Sequence, residues 1–116
     1  MHPNFVLRIA ERMLESWLLA DTGLARFIGI SRELLPRHPD AEVNPKQTLV
    51  NLARRSKSRS VRNDLVPEEG SLGIVGKGYT PRMSEFIEHH WRPNEAQQRS
   101  ESLRRALATI RLKVNS

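Results

Sequence analysis

Between Lys46 and Arg62 the chain carries Lys46, Arg54, Arg55, Lys57, Arg59 and Arg62 and no acidic residue. Like charges this close repel by about 1 kcal/mol per contact in water, so an anionic partner would relieve them. The chemistry these groups offer is phosphate neutralisation with counterion release, which gives salt-dependent affinity without choice of base. Ser56, Ser58 and Ser60 alternate with the cations and can add neutral phosphate contacts or accept a phosphate that cancels the charge. Against that reading, Asp64, Glu68 and Glu69 follow closely enough to neutralise the run within the chain.

Other constellations offer less. Glu85 and His89 stand four residues apart on a helical pattern, but the adjacent His89 and His90 point about 100° apart and no third ligand is in view, so no metal site is expected. His2 and His38 lack an acid or nucleophile companion, which leaves no Ser-His-Asp arrangement. The glycines of Gly73-Ile74-Val75-Gly76-Lys77-Gly78 look like a phosphate cradle, yet the Gly-Lys-Ser/Thr ending of a nucleotide-binding loop is missing. The Gly73-x-x-Gly76 spacing is similar to the backbone-clamping loop of KH RNA-binding domains, where that loop joins two helices. Here the expected structure is a surface turn from which Lys77 can reach a partner. Neither a cofactor nor enzymatic activity is expected.

The segment Leu24-Ala25-Arg26-Phe27-Ile28-Gly29-Ile30-Ser31-Arg32-Glu33-Leu34-Leu35 resembles the second helix, turn and recognition-helix start of bacterial helix-turn-helix proteins. In that arrangement Ala25 permits close crossing, Gly29 takes the left-handed turn, and Ser31 caps a helix presenting Arg32 to a groove. Pro36 would stop such a helix after about one and a half turns. The preferred reading of the same residues is one continuous core helix from Thr22 to Leu35 that tolerates Gly29.

The elements that must hold these groups follow from periodicity and punctuation. Phe5, Ile9, Met13 and Trp17 recur every fourth residue, which predicts an amphipathic helix over about 4–20. Pro36, Pro39 and Pro45 mark a loop over 36–44, and Asn44-Pro45 starts a third helix, with Leu49, Val50, Leu52 and Ala53 buried. That helix is expected to hold to about Ser56 and fray into a loose arm over Lys57 to Arg62. Residues 63–79, with Pro67, Gly70, Gly73, Gly76 and Gly78, read as a long connection that the apolar Leu65, Val66, Leu72, Ile74 and Val75 pin to the domain or fold as a short hairpin. Thr80-Pro81 starts the next helix, and Asn94 with Gln97 forms a capping box for the last. In that last helix Leu103, Ala106, Leu107, Ile110 and Val114 sit late, so its polar first turns are expected to be solvated or bound elsewhere. Trp17 and Trp91 read as core anchors; an exposed Trp91 beside Arg92 would instead be a protein hot spot or a base-stacking platform.

Composition bounds the rest. A chain of 116 residues suits one domain, and with 38% hydrophobic residues its core is modest enough for a homodimer interface to supplement it. The absence of cysteine excludes disulfides and thiolate chemistry, and the lack of a long apolar span argues against a signal peptide or membrane segment, so a cytoplasmic protein is expected. A net charge of +6 favours an anionic partner. The expectation is therefore an all-α domain spanning 1–116, of about five helices with a Gly-rich connection over 63–79. Its expected role is non-catalytic and regulatory: binding nucleic acid, DNA favoured over RNA, through Lys46, Arg54, Arg55, Lys57, Arg59 and Arg62, assisted by Arg32, Arg37 and Lys77. The alternative is an adaptor or inhibitor that docks on an acidic protein surface through the same arginines.

Overall fold

The computed structural model describes residues 13–115, and these are all-helical with no strand. The helices are α1 (13–19), α2 (Gly23–Ile28), α3 (Pro45–Arg54), α4 (Arg59–Leu65), α5 (Tyr79–His89), α6 (Pro93–Ala96) and α7 (Glu101–Asn115). The expected first helix is seen from residue 13 onward, and its earlier part lies outside the described residues. No helix among those described is long and apolar enough to cross a membrane.

Two apolar clusters hold these helices together. The larger gathers Leu18 and Leu19 of α1, Leu24 and Ile28 of α2, the buried face of α3, Val61 and Leu65 of α4, and Met83 and Phe86 of α5. The smaller joins Ala20, Ala96 and Leu103, with Trp17 and Leu107 packed on it, and Trp91 touches both clusters. The two tryptophans are thus core anchors, as their size suggests: Trp91 is half-buried and its Nε1 donates to the Trp17 carbonyl at 3.3 Å.

Residues 22–35 do not form one helix. Gly29 adopts φ 74°, and the Gly29 and Ile30 amides donate back to the Arg26 and Ala25 carbonyls at 3.3 and 2.9 Å, which closes α2. Ser31 is then extended and Arg32–Leu34 makes a single 3-10 turn before Pro36. The left-handed turn of the helix-turn-helix resemblance is present, but its recognition helix is not: a 3-10 turn of three residues cannot fill a groove.

The loose arm expected after α3 is also replaced. Helix α3 ends at Arg54, and α4 begins within four residues because Ser58 Oγ accepts the Val61 amide at 3.2 Å. Only Val61 and Leu65 are buried on α4, too few for a visible apolar period. The long connection therefore starts at Val66. The Gly76 and Gly78 amides donate to the Leu65 and Asp64 carbonyls, each at 3.0 Å, and a Cβ on Gly76 would stand 2.3 Å from the Asp64 carbonyl oxygen. Leu65, Val66 and Val75 join the core, whereas Leu72 and Ile74 are left in solvent, 103% and 62% exposed.

The capping box at Asn94 is another correction. The Gln97 side chain donates to the Asn94 carbonyl at 3.2 Å, and α6 stops after Ala96. Helix α7 starts at Glu101 with Ser100 Oγ accepting the Leu103 amide at 3.1 Å. Its polar start is anchored rather than solvated: Asp40 accepts from Ser100 Oγ at 2.7 Å and from the Ser102 amide at 2.9 Å. Residues 108–112, including Ile110 and Leu112, are exposed instead.

The junctions are drawn together by Asp21, whose side chain is fully buried. Its Oδ1 accepts the Gly23 amide at 2.8 Å at the head of α2 and Arg92 Nη2 at 2.7 Å; its Oδ2 accepts the Arg92 amide at 2.7 Å. Arg99 adds a second tie, donating to the carbonyls of Ala20, at 3.2 Å, and Pro36.

Two outcomes follow for stability. Asp21→Ala orphans two backbone amides and should lower the unfolding free energy by about 2–4 kcal/mol in urea titration. Burial, aided by the Glu15 carboxylate, pushes the Tyr79 phenol above its ordinary value of 10.0. Unfolded Tyr79 therefore ionises near pH 10 while the folded phenol stays neutral, so stability is intact below pH 10 and falls as pH rises beyond it. Tyr79→Phe should flatten that part of the alkaline decline.

Candidate functional site

The four residues between α3 and α4 form an ordered turn. Ser56 is buried, and its Oγ accepts the Ser58 amide at 3.0 Å; Ser58 in turn caps α4. The Arg62 guanidinium folds back and donates to the Ser56 carbonyl. Two of the alternating serines, Ser56 and Ser58, which read as phosphate contacts, thus act first as backbone partners of the turn. From the other side the Gly29 carbonyl accepts the Lys57 amide at 3.0 Å, and a Cβ on Gly29 would meet Ser56 Oγ at 3.0 Å. The bend that ends α2 and the bend that joins α3 to α4 are in direct contact.

This geometry sorts the sequence candidates. Arg54, Arg55, Lys57 and Arg59 are exposed on the turn and its flanks, and none has a carboxylate within 4.0 Å among the described residues. Lys46 points inward: its Nζ is 3.5 Å from Glu15 and 6.0 Å from the Tyr79 ring centroid. Arg62 is half-buried and holds the turn, as described. Arg32, exposed, follows three residues after Gly29. Arg37 is exposed in the next segment, and Lys77 reaches Glu68 at 4.0 Å across its own loop.

Two of the three acids that follow the run, Asp64 and Glu68, pair with cations outside it. Asp64 accepts Arg82 Nε at 2.7 Å, and Arg82 Nη2 also donates to Ser60 Oγ at 2.8 Å, which fastens α4 to α5. Glu68 meets Lys77, and it also lines a shallow depression with Arg54 and Arg62 without closing an ion pair to either. Arg82 had no signal in the sequence, because its partners are 18 and 22 residues away.

Among the described residues His89 and His90 take no common ligand. His89 lies 3.7 Å from Glu88, while His90 packs its ring with its centroid 5.1 Å from that of Phe27. Among the described residues no group of three His, Asp or Glu side chains could hold a metal ion. What the turn can do chemically is present four solvent-facing cations at fixed positions to an anionic surface. No family model, curated protein or solved structure matches the chain.

Because Ser58 is the cap that orders this arrangement, Ser58→Ala should cost about 1 kcal/mol in chemical denaturation. It should also raise amide exchange across residues 59–62 while leaving α5 protected.

Proposed function

We propose that the protein binds nucleic acid through Arg54, Arg55, Lys57 and Arg59, with Arg32 at the edge of the contact, as a non-catalytic regulatory factor of the cytoplasm. One observation carries the reading: some cations are engaged within the chain and others, those of the turn among them, are not. Arg62, Arg82, Arg92 and Arg99 are held by backbone carbonyls, carboxylates or a hydroxyl of their own chain, whereas the four cations on the turn have no such partner among the described residues. Cations that neither stabilise the fold nor pair at the surface are available for phosphate.

Binding is electrostatic docking in which the ordered turn meets the backbone. With four phosphate contacts the log-log dependence of affinity on salt should have a slope of about −3 to −4 on duplex DNA. Each Arg→Ala substitution at 54, 55 or 59 should reduce that slope by about one contact's worth, 0.9 or so. Fluorescence anisotropy over a salt series reads both, and a failure to bind duplex, single strand or RNA at low salt overturns the proposal.

The second reading, docking on an acidic protein surface, draws on the loop tip. Ile74, 62% exposed, lines a depression together with Arg54, Glu68 and Glu69, so an apolar group is offered beside charges of both signs. Replacing Arg54, Arg55 and Arg59 by glutamate should abolish recovery of such a protein partner in co-purification; undiminished recovery excludes these arginines as its docking site.

A further inference from the structure

Residues of α2 and of the α5–α6 junction line an open cleft of about 660 Å³, within the size range of small-ligand sites. It is lined by Arg26, Phe27, Arg32, His90, Arg92 and Glu95, among others. Arg92 and Glu95 are already engaged, Arg92 with Asp21 and Glu95, and Glu95 with Thr22 Oγ1 at 2.6 Å. Arg26 and Arg32 are exposed and have no carboxylate partner among the described residues.

The aromatic part of the lining is fixed. The Phe27 ring centroid lies 5.1 Å from both Phe86 and His90, and Phe86 is completely buried. His90 is therefore an exposed ring held by packing, next to a half-buried Phe27. Two unpaired guanidinium groups beside such a surface meet both demands of a nucleotide: planar, bidentate donors for the phosphate and a ring for the base.

We propose that this cleft receives one unstacked nucleotide of a single strand, its phosphate on Arg26 and Arg32 and its base against His90 and Phe27. The inference rests on the nucleic-acid reading of the turn and gives it a preference for single strands. Continuity supports it: the 3.0 Å bond from the Lys57 amide to the Gly29 carbonyl joins the cationic turn to the segment between Arg26 and Arg32. A strand crossing Lys57 is thereby led toward the cleft. A base held in a duplex is stacked on both sides and cannot offer its face.

The test is anisotropy with a labelled oligothymidylate and with its oligoadenylate duplex, using His90→Ala, His90→Phe and the pair Arg26→Ala with Arg32→Ala. Loss of a stacked base should weaken single-strand binding about tenfold in His90→Ala and leave duplex binding within about twofold. His90→Phe, which keeps a ring, should retain most of the single-strand affinity. The arginine pair should lose single-strand affinity by a similar factor. Exposed His90 can be replaced without opening the core, and an unchanged thermal midpoint checks this. If His90→Ala and the arginine pair leave single-strand affinity unchanged while Arg54→Ala and Arg55→Ala weaken both polymers, the cleft proposal falls and the turn remains. If the parent protein binds neither polymer at low salt, both fall.

Discussion

A carboxylate with no exposed surface organises this molecule. Asp21 sits where α1 gives way to α2 and receives three hydrogen bonds, one from the head of α2 and two from Arg92 before α6. Burying a charge is costly unless it is paired and hydrogen-bonded, and here both conditions are met by residues 71 positions apart. Arg92 is itself held in its charged form chiefly by that bond to Asp21. The interaction sets where α6 and α7 lie against the first helices, and with it the position of the smaller apolar cluster. The arginine cleft lies between the elements that this junction ties together, α2 and the α5–α6 segment.

The same logic explains why a strongly basic chain folds at all. Several arginines act as hydrogen-bonding struts, using the five donors of a guanidinium to satisfy carbonyls that short helices leave open. Arg99 spans two such carbonyls, Arg62 another, and Arg82 binds a carboxylate and a hydroxyl at once. In a protein built from helices as short as α2 and α4, end groups are numerous relative to helix interiors. The cations left over gather around the two touching bends, where the backbone is already satisfied by Ser56, Ser58 and Gly29.

Helix starts written in proline and asparagine were legible in the sequence. Asn44-Pro45 marks α3 closely, because a side-chain cap and a missing amide act locally, whereas Thr80-Pro81 falls inside the first turn of α5, which starts at Tyr79 after Gly78 without a side-chain cap. The buried face of α3 was equally plain. What escaped was decided over distance. Helix α4 has two buried residues and draws its place from Arg82, and the anchored start of α7 depends on Asp40, 60 residues earlier. Gly29 reads as tolerable within a helix, but its left-handed backbone makes it a terminus, and a Cβ there would crowd Ser56. For the candidate site, the cationic run was visible, while its division into inward Lys46 and Arg62 and outward Arg54, Arg55, Lys57 and Arg59 required the fold. Arg26 and His90 entered only through the cleft that tertiary packing creates.

The connection between α4 and α5 is fastened at its base by the amides of Gly76 and Gly78 on the carbonyls of Leu65 and Asp64. Its two ends are thus clasped together before the chain enters α5, and everything between Pro67 and Ile74 hangs outside that clasp. Loop-closure entropy grows only with the logarithm of length, so the lobe can be longer, shorter or cut without pulling on either helix. It is mechanically insulated from the core while its exposed Ile74 stays beside Arg54. Such an appendage is the part of the molecule in which new sequence can be tried at the least risk to the fold.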